Sequence, residues 1–204
     1  MVYRLLFDSD HYRQLLWDRK QILKHVDEND VEHRVDIAGF PVSQKGVFRE
    51  SLKVSFAPSF PGDEKLAVPD LTVHEGRLYL NAKAYEALGP VIAADGEFLD
   101  VVDENGQAGF LFIPMKLAET CNAIDWGLSV PSDWAGFKHL AFDEDKLGSW
   151  KVFRTEADGY HGLFCRQHVV DVIRAAGLTG VFVTNDLASI HPVHPQELAN
   201  NHVN

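Results

Sequence analysis

The sequence has few cysteines, lacks a long apolar run and has few basic residues. Cys121 and Cys165 are the only cysteines in 204 residues, and two thiols cannot form a disulfide framework. No stretch approaches the roughly 18 consecutive apolar residues of a membrane helix. Acidic residues directly follow the apolar run 2–7, which does not fit a secretory signal. We therefore expect a cytoplasmic protein with reduced thiols.

The shortage of basic residues gives the chain a strong negative charge. Lys and Arg number 19 against 30 Asp and Glu, a formal net charge of −11. Such a surface repels nucleic acid phosphates and anionic lipid heads, and it attracts basic partners. Nucleic-acid binding and membrane-surface binding are therefore disfavoured. The same charge also fits a protein that is acidic only for solubility.

Familiar catalytic motifs are missing as well. The sequence contains no GxSxG, no Walker loop, no GxGxxG after a strand and no HExxH. Cys165 lies near His161 and His168 and could form a nucleophile pair with one of them, but its apolar strand position favours a buried structural thiol. An HxxH pair at 191 and 194 lies in a proline-bearing tail and is a weak zinc signal. We expect no catalytic residues, metal site or cofactor.

What the sequence does contain predicts an α+β fold. Alternating apolar runs and helical spacings indicate a mixed, mainly antiparallel sheet with helices packed on it. Helices are predicted over 12–26, over 115–126, over 167–176, and from an Asn81 cap to a stop at Gly89-Pro90. Asn105-Gly106 between two apolar runs predicts a hairpin joining 97–102 to 108–113.

Two segments of the chain repeat the same order of elements. Residues 78–81, a helix and residues 96–98 parallel residues 163–166, a helix and residues 180–182. These two echoed strand–helix–strand units are either a duplication or a common α+β arrangement. Both fall in a main body predicted over 66–187. A strand–helix extension with a loop-rich connection (1–65) precedes this body, and a tail (188–204) follows it.

Acidic residues cluster in predicted turns, where Asp is also favoured for backbone reasons. They are either solvated turn residues or an acidic docking surface for a basic protein. Trp17, Trp126, Trp134 and Trp150 are available as core or interface anchors, and Trp134 is favoured for an interface because it lies in a loop. The candidate partner-binding residues are Asp27, Glu28, Asp30, Asp103, Glu104, Trp134, Asp143, Glu144 and Asp145.

The order of features between residues 66 and 184 resembles a known family. The matching pieces are residues 68–71, 78–81, 84–88, 96–101, 110–112, 123–125, 140–147, 152–154 and 163–183, the last containing Ala-Gly-Leu-Thr-Gly at 176–180. They resemble the bacterial polymorphic-toxin immunity protein family of the Myxococcus type, formerly a domain of unknown function. Asn81 and Arg166 stand where such proteins often carry Ser, and 27–65 has no match in the family pattern.

The resemblance implies an immunity protein that neutralises a cognate toxin by direct protein–protein inhibition. The toxin, or effector domain, would be encoded by a neighbouring gene and secreted, for example by type VI secretion. The family offers no catalytic residues to carry over. The acidity of the chain suits a basic nuclease-type effector. The toxin could equally be a lipase or a peptidase, in which case the charge serves only solubility. Two alternatives remain open: a hydrolase-like enzyme using a histidine cluster (His161, His168 or the tail histidines), and a non-catalytic adaptor module.

Overall fold

The computed structural model describes residues 1–17, 20–21, 24, 41–48, 50–58, 65–133 and 136–190. These residues form an α+β fold with mainly antiparallel sheets, which confirms the predicted fold class. The helices that the structure describes from end to end are α1 (Ala82–Ile92) and α2 (Gln167–Ala175), with short 3-10 turns at Ala93–Asp95 and Ala118–Cys121. The strands are β1 (Val2–Phe7), β2 (Gln14–Trp17), β3 (Leu52–Ala57), β4 (Leu71–His74), β5 (Arg77–Asn81), β6 (Gly96–Val102), β7 (Ala108–Pro114), β8 (Val130–Pro131), β9 (Phe137–His139), β10 (Val152–Phe153), β11 (Leu163–Arg166) and β12 (Val181–Thr184).

The strands form two main sheets and one small hairpin. A six-stranded sheet has the order β2-β3-β6-β7-β5-β4, and a four-stranded sheet has the order β10-β11-β1-β12. β8 and β9 pair with each other. Neighbouring strands are antiparallel except β3 and β6, which are parallel. The six-stranded sheet curls so that its two edge strands, β2 and β4, approach each other. The ring centroids of Trp17 on β2 and His74 on β4 are 6.0 Å apart.

Both predicted strand–helix–strand units are present and share one topology. The first unit is β5, α1 and β6, and the second unit is β11, α2 and β12. In each unit the two strands flank an antiparallel third strand, which is β7 in the first unit and β1 in the second. Each unit is therefore a split βαβ arrangement.

The two helices pack together in one apolar core between the main sheets. α1 contributes Ala84, Leu88 and Ile92, and α2 contributes Val169, Val170 and Ile173 at helical spacing. Each sheet has a second buried face, because successive strand residues point to opposite sides. The curl of the six-stranded sheet encloses one of these faces, and the segment between β7 and β10 covers the other.

The N-terminal strand is integrated into the body. β1 is an inner strand of the four-stranded sheet, and its Leu5 lies between Leu163 on β11 and Val183 on β12. β3 likewise joins the six-stranded sheet beside β6. Residues 2–7 and 52–57, expected in an extension over 1–65, therefore form sheets together with residues of the 66–187 body.

The helix predicted over 12–26 is wrong over residues 14–17, which form a strand. Gln14–Trp17 is β2, in which Leu15 is buried and Leu16 is exposed. This alternation has the period of a strand, and pairing with β3 overrides the apparent helical spacing. Lys20 and Gln21 are helical, as predicted, and most of 18–26 lies outside the described residues.

The helix predicted over 115–126 is also wrong. Its centre is only the 3-10 turn Ala118–Cys121, and Asn122 ends this turn with a left-handed φ of 54°. On either side the chain pairs with distant residues, since Leu117 bridges to Arg154 and Ile124 bridges to Phe142. Long-range backbone pairing therefore replaces the local helix.

The remaining two helices and the hairpin are confirmed, with one corrected boundary. Asn81 caps α1 by accepting a hydrogen bond from the Ala84 N–H at 2.9 Å. The helix passes through the predicted stop at Gly89-Pro90 and continues to Ile92. Pro90 has no backbone N–H, so the helix lacks the hydrogen bond to the Glu86 carbonyl in its last turn. Glu86 and Pro90 are exposed, so water can hydrogen-bond to that carbonyl instead. No helix in the described ranges is long and apolar enough to cross a membrane.

Candidate protein-binding surfaces

The structure separates the predicted partner-binding residues into two turns. Asp27, Glu28, Asp30 and Trp134 lie outside the described residues. Asp103 and Glu104 form the turn between β6 and β7, here called the acidic hairpin turn. Asp143, Glu144 and Asp145 follow the bridge at Phe142 and are called the 143–145 turn.

The acidic hairpin turn is held by one of its own carboxylates. Asp103 Oδ1 accepts hydrogen bonds from the backbone N–H groups of Asn105 at 2.8 Å and Gln107 at 2.7 Å. Glu104 is exposed, and its Oε1 accepts a hydrogen bond from the Phe56 backbone N–H, with 3.4 Å between nitrogen and oxygen. Asp103 therefore shapes the turn, while Glu104 presents its charge to solvent.

Two of the three carboxylates of the 143–145 turn form ion pairs with other groups of the protein. Asp143 pairs with Lys146 at 3.2 Å, and the hydrogen bond from Lys146 holds the pKa of Asp143 below its usual value. Glu144 lies 2.6 Å from the N-terminal ammonium of Met1 and 3.4 Å from Arg166 Nη2. Asp145 is exposed.

The two turns do not form a single site. The acidic hairpin turn lies at one end of the β6–β7 hairpin. At the opposite end, Asp95 accepts hydrogen bonds from the backbone N–H groups of Lys151 at 2.6 Å and Val152 at 3.1 Å. That opposite end therefore meets the four-stranded sheet, where Glu144 also lies beside Arg166 of β11. The 143–145 turn is thus close to the four-stranded sheet, and the acidic hairpin turn lies at the far end of the β6–β7 hairpin.

An exposed apolar loop is the surface feature that the sequence interpretation missed. Trp126, Leu128 and Val130 are 63%, 61% and 49% exposed. They occupy alternate positions in a segment that was assigned in part to a helix. We call residues 126–130 the 126–130 loop. The alternation with Gly127 and Ser129 does not have the spacing of a helix, and it was the available signal. In the structure residues 126–128 form a turn.

Hydrogen bonds fix the backbone of this loop. Asp125 Oδ1 accepts from the N–H groups of Gly127 at 2.9 Å and Leu128 at 3.2 Å. Ser129 is buried, and its hydroxyl accepts from the Ala141 N–H at 3.1 Å. The loop is therefore anchored at two points while its large apolar side chains face solvent.

A cavity of about 390 Å³ lies beside the loop. Its lining is mainly apolar, with a buried ion pair among the polar groups: Arg4, Ser132, Gly136, Phe137, Leu140, Asp158, His161, Ala188 and Ile190. Arg4 Nη2 lies 3.6 Å from Asp158 Oδ2. Burial lowers the pKa of Arg4 and raises the pKa of Asp158. Desolvation therefore disfavours the charged form of each partner, and their mutual attraction opposes that effect.

The candidate histidines are not brought together. His161 lines the cavity before β11, whereas His168 is exposed on α2 beyond the other end of that strand. Cys165 lies between them in the apolar core, fully buried, and burial raises the pKa of its thiol. The predicted structural role of Cys165 is confirmed. Among the described residues, no three His, Cys, Asp or Glu side chains converge in a group that could hold a metal.

No protein-family model matches the chain, and no curated protein matches its sequence. The resemblance over residues 66–184 therefore stands on the order of sequence features alone.

Proposed function

We propose that this chain is a cytoplasmic immunity protein that binds a cognate toxin domain, encoded by a neighbouring gene, and neutralises it by direct contact. The observation that carries the proposal is the display of carboxylates at two separate surface turns of a chain with a net charge of −11. Glu104 and Asp145 are exposed in those turns. This distribution favours the capture of a basic protein from more than one direction.

A basic nuclease-type effector is the toxin class that fits this charge. Proteins that bind nucleic acid place Lys and Arg against phosphates. An acidic inhibitor competes for the same basic surface and associates rapidly because opposite charges steer the encounter. Affinity then depends on a few desolvated anchor residues and not on the summed charge.

Co-expression with the product of the neighbouring gene tests the proposal. The neighbour alone is expected to stop growth, and this protein is expected to restore it and to co-elute with the neighbour from a sizing column. A harmless neighbour, or rescue without a complex, contradicts direct inhibition.

The electrostatic part of the proposal has its own test. We expect the association rate constant to fall about tenfold or more between low and high salt, because screening removes the steering. The double substitution Glu104→Gln and Asp145→Asn is expected to lower that rate at low salt. Lys138→Ala changes the charge in the opposite sense, since it removes the cation that pairs with Asp133 and makes the chain more negative, and it is not expected to lower that rate. A rate independent of salt contradicts steering.

One observation favours the hydrolase alternative. His161 lines the cavity that also contains the Arg4–Asp158 pair. Under that alternative, His161→Ala abolishes a hydrolytic activity of the purified protein. Under the immunity proposal, His161→Ala leaves growth rescue unchanged.

A further inference from the structure

Exposed large apolar residues are unevenly distributed over the described surface. Met1, Leu16, Val68 and Ile190 are exposed singly, in different parts of the chain. Trp126, Leu128 and Val130 are exposed together within five consecutive residues. Scattered apolar residues are normal on a protein surface, whereas a contiguous group indicates an interaction site.

The 126–130 loop has the rigidity of a binding surface. The Asp125 carboxylate and the buried Ser129 hydroxyl hold its backbone from both sides. The Trp126 ring is supported by the Phe137 ring, with 6.3 Å between their centroids. A partner therefore gains the burial of these side chains without first having to order the loop.

The charge around the loop selects its occupant. The backbone hydrogen bonds between Asp125 and Ala141 and between Asp143 and Ala123 join the loop to the 143–145 turn. Asp133 after β8 is also exposed, but its carboxylate pairs with Lys138 at 2.7 Å, so Asp145 is the exposed acidic residue that the 143–145 turn offers to a partner. A second copy of this chain would bring two molecules of charge −11 together, which repulsion disfavours. A partner with basic residues around an apolar pocket complements both features.

We infer that the 126–130 loop is the anchor that inserts into an apolar pocket within a basic face of the toxin, an inference that rests on the proposed function. Trp126 supplies the largest buried area, and Leu128 and Val130 extend the contact along the loop. The 143–145 turn contributes to the encounter through Asp145 and adds little to the final affinity. Trp is among the residues that dominate binding energy in protein interfaces.

The test compares substitutions in the loop with substitutions of apolar residues elsewhere. Trp126→Ala and Leu128→Ala remove anchor side chains, and Leu16→Ala and Val68→Ala remove exposed apolar side chains outside the loop. The probe is the neighbouring gene's product carrying an inactivating substitution in its own active site, and the dissociation constant is measured by calorimetry. Thermal unfolding of each variant, measured alone, shows that the fold is intact.

We expect Trp126→Ala to weaken binding about 30-fold or more and Leu128→Ala by about fivefold, mainly through faster dissociation. The two control variants are expected to stay within about threefold of the wild type. Equal affinities for all four variants and the wild type overturn the inference while leaving the proposed function in place. Absence of binding by the wild type overturns the proposed function and the inference with it.

The second-copy alternative has a distinct signature. Sedimentation of the wild-type protein alone is expected to show a monomer. A dimer that Trp126→Ala dissociates would make a second copy the occupant of the loop and would overturn the inference.

Discussion

The two strand–helix–strand units share an order of elements but obtain their middle strand from different places. In the first unit, β7 follows β6 directly through the hairpin turn. In the second unit, β1 comes from the beginning of the chain and pairs with β11 near its end. Local contacts therefore complete the first unit, whereas the second requires closure of a very long loop, which is entropically costly and slow.

The middle strands also differ in chemistry. Phe110 and Phe112 on β7 belong to an aromatic cluster, in which Tyr85 of α1 stacks on Phe110 with 3.7 Å between ring centroids. The ring centroids of Phe98 and Phe112 are 4.9 Å apart. β1 instead carries Arg4, which is buried beside Asp158. The middle strand of the first unit therefore packs through apolar burial that tolerates small changes, whereas the middle strand of the second unit carries one partner of an ion pair that is costly to break.

Breaking the buried pair is expected to have the largest effect. Arg4→Ala removes the ion-pair partner of buried Asp158, which keeps the hydrogen bond from the Gly162 N–H, and should lower the free energy of unfolding by about 3–5 kcal/mol. Urea denaturation measures the loss. Arg166→Ala is the control, because Arg166 forms a more exposed pair with Glu144 and should cost less than about 1 kcal/mol. Similar losses for the two variants would contradict the cost assigned to the burial of the Arg4–Asp158 pair.

Gly96 and Gly180 occupy equivalent positions in the two units and allow a second comparison. Gly96 is the first residue of β6, and Gly180 immediately precedes β12. A Cβ at Gly96 would lie 2.2 Å from the Ile113 carbonyl oxygen, and a Cβ at Gly180 would lie 2.2 Å from Pro69 Cβ. Gly180 also has a φ of +110°, which side chains rarely adopt. Gly96→Ala should cost about 1–3 kcal/mol from crowding alone. Gly180→Ala should cost about 1 kcal/mol more because backbone strain is added. Equal costs in urea denaturation would contradict the role given to φ.

The helix caps differ between the units and allow a smaller test. Asn81 caps α1 through its side chain, whereas Arg166 at the start of α2 makes no such bond. Asn81→Ala should cost about 1 kcal/mol. Arg166→Asn should be close to neutral, since a gain of about 1 kcal/mol from a new cap offsets the lost pair with Glu144. Thermal unfolding of both variants gives the comparison, and a large loss for Arg166→Asn would contradict it.

Asp70 joins the two units and gives the smallest expected effect. It accepts hydrogen bonds from Asn81 and Lys83 in the first unit and from Thr179 after α2. Burial raises the pKa of Asp70, but the hydrogen bonds from Lys83, Asn81 and Thr179 outweigh burial and hold it below the ordinary 3.8. Because the folded pKa lies below the unfolded one, this contribution is complete above pH 3.8 and is lost as the pH falls through the folded pKa.

The wild type should therefore be more stable than Asp70→Asn by less than about 1 kcal/mol near neutral pH. This difference should shrink below pH 3.8 as Asp70 becomes protonated. Urea denaturation of both proteins over that range measures it. A difference that does not change with pH would contradict the contribution of the Asp70 charge.

Local signals in the sequence predicted the elements whose partners are close along the chain. Asn105-Gly106 predicted the β6–β7 hairpin, and the spacing of Val169, Val170 and Ile173 predicted α2. Gln14–Trp17 was assigned wrongly because its strand partner, β3, lies far along the chain. Such long-range pairing is not visible in a short window of sequence.

The candidate site was predictable only in part, for the same reason. Clusters of Asp and Glu marked two exposed turns, but the internal pairs of Glu144 with Met1 and Arg166 depend on tertiary contacts. The 126–130 loop was hidden because its first residue was assigned to the helix over 115–126. That helix is replaced by bridges from Leu117 and Ile124 to distant residues.

Inhibition of the purified toxin in a titration tests the central claim most directly. The product of the neighbouring gene is assayed for its own activity while increasing amounts of this protein are added. Direct neutralisation predicts that the activity falls linearly and ends at one equivalent, and that Trp126→Ala displaces the curve to higher concentrations. Full activity of the toxin in the presence of a large excess of wild-type protein would contradict the account.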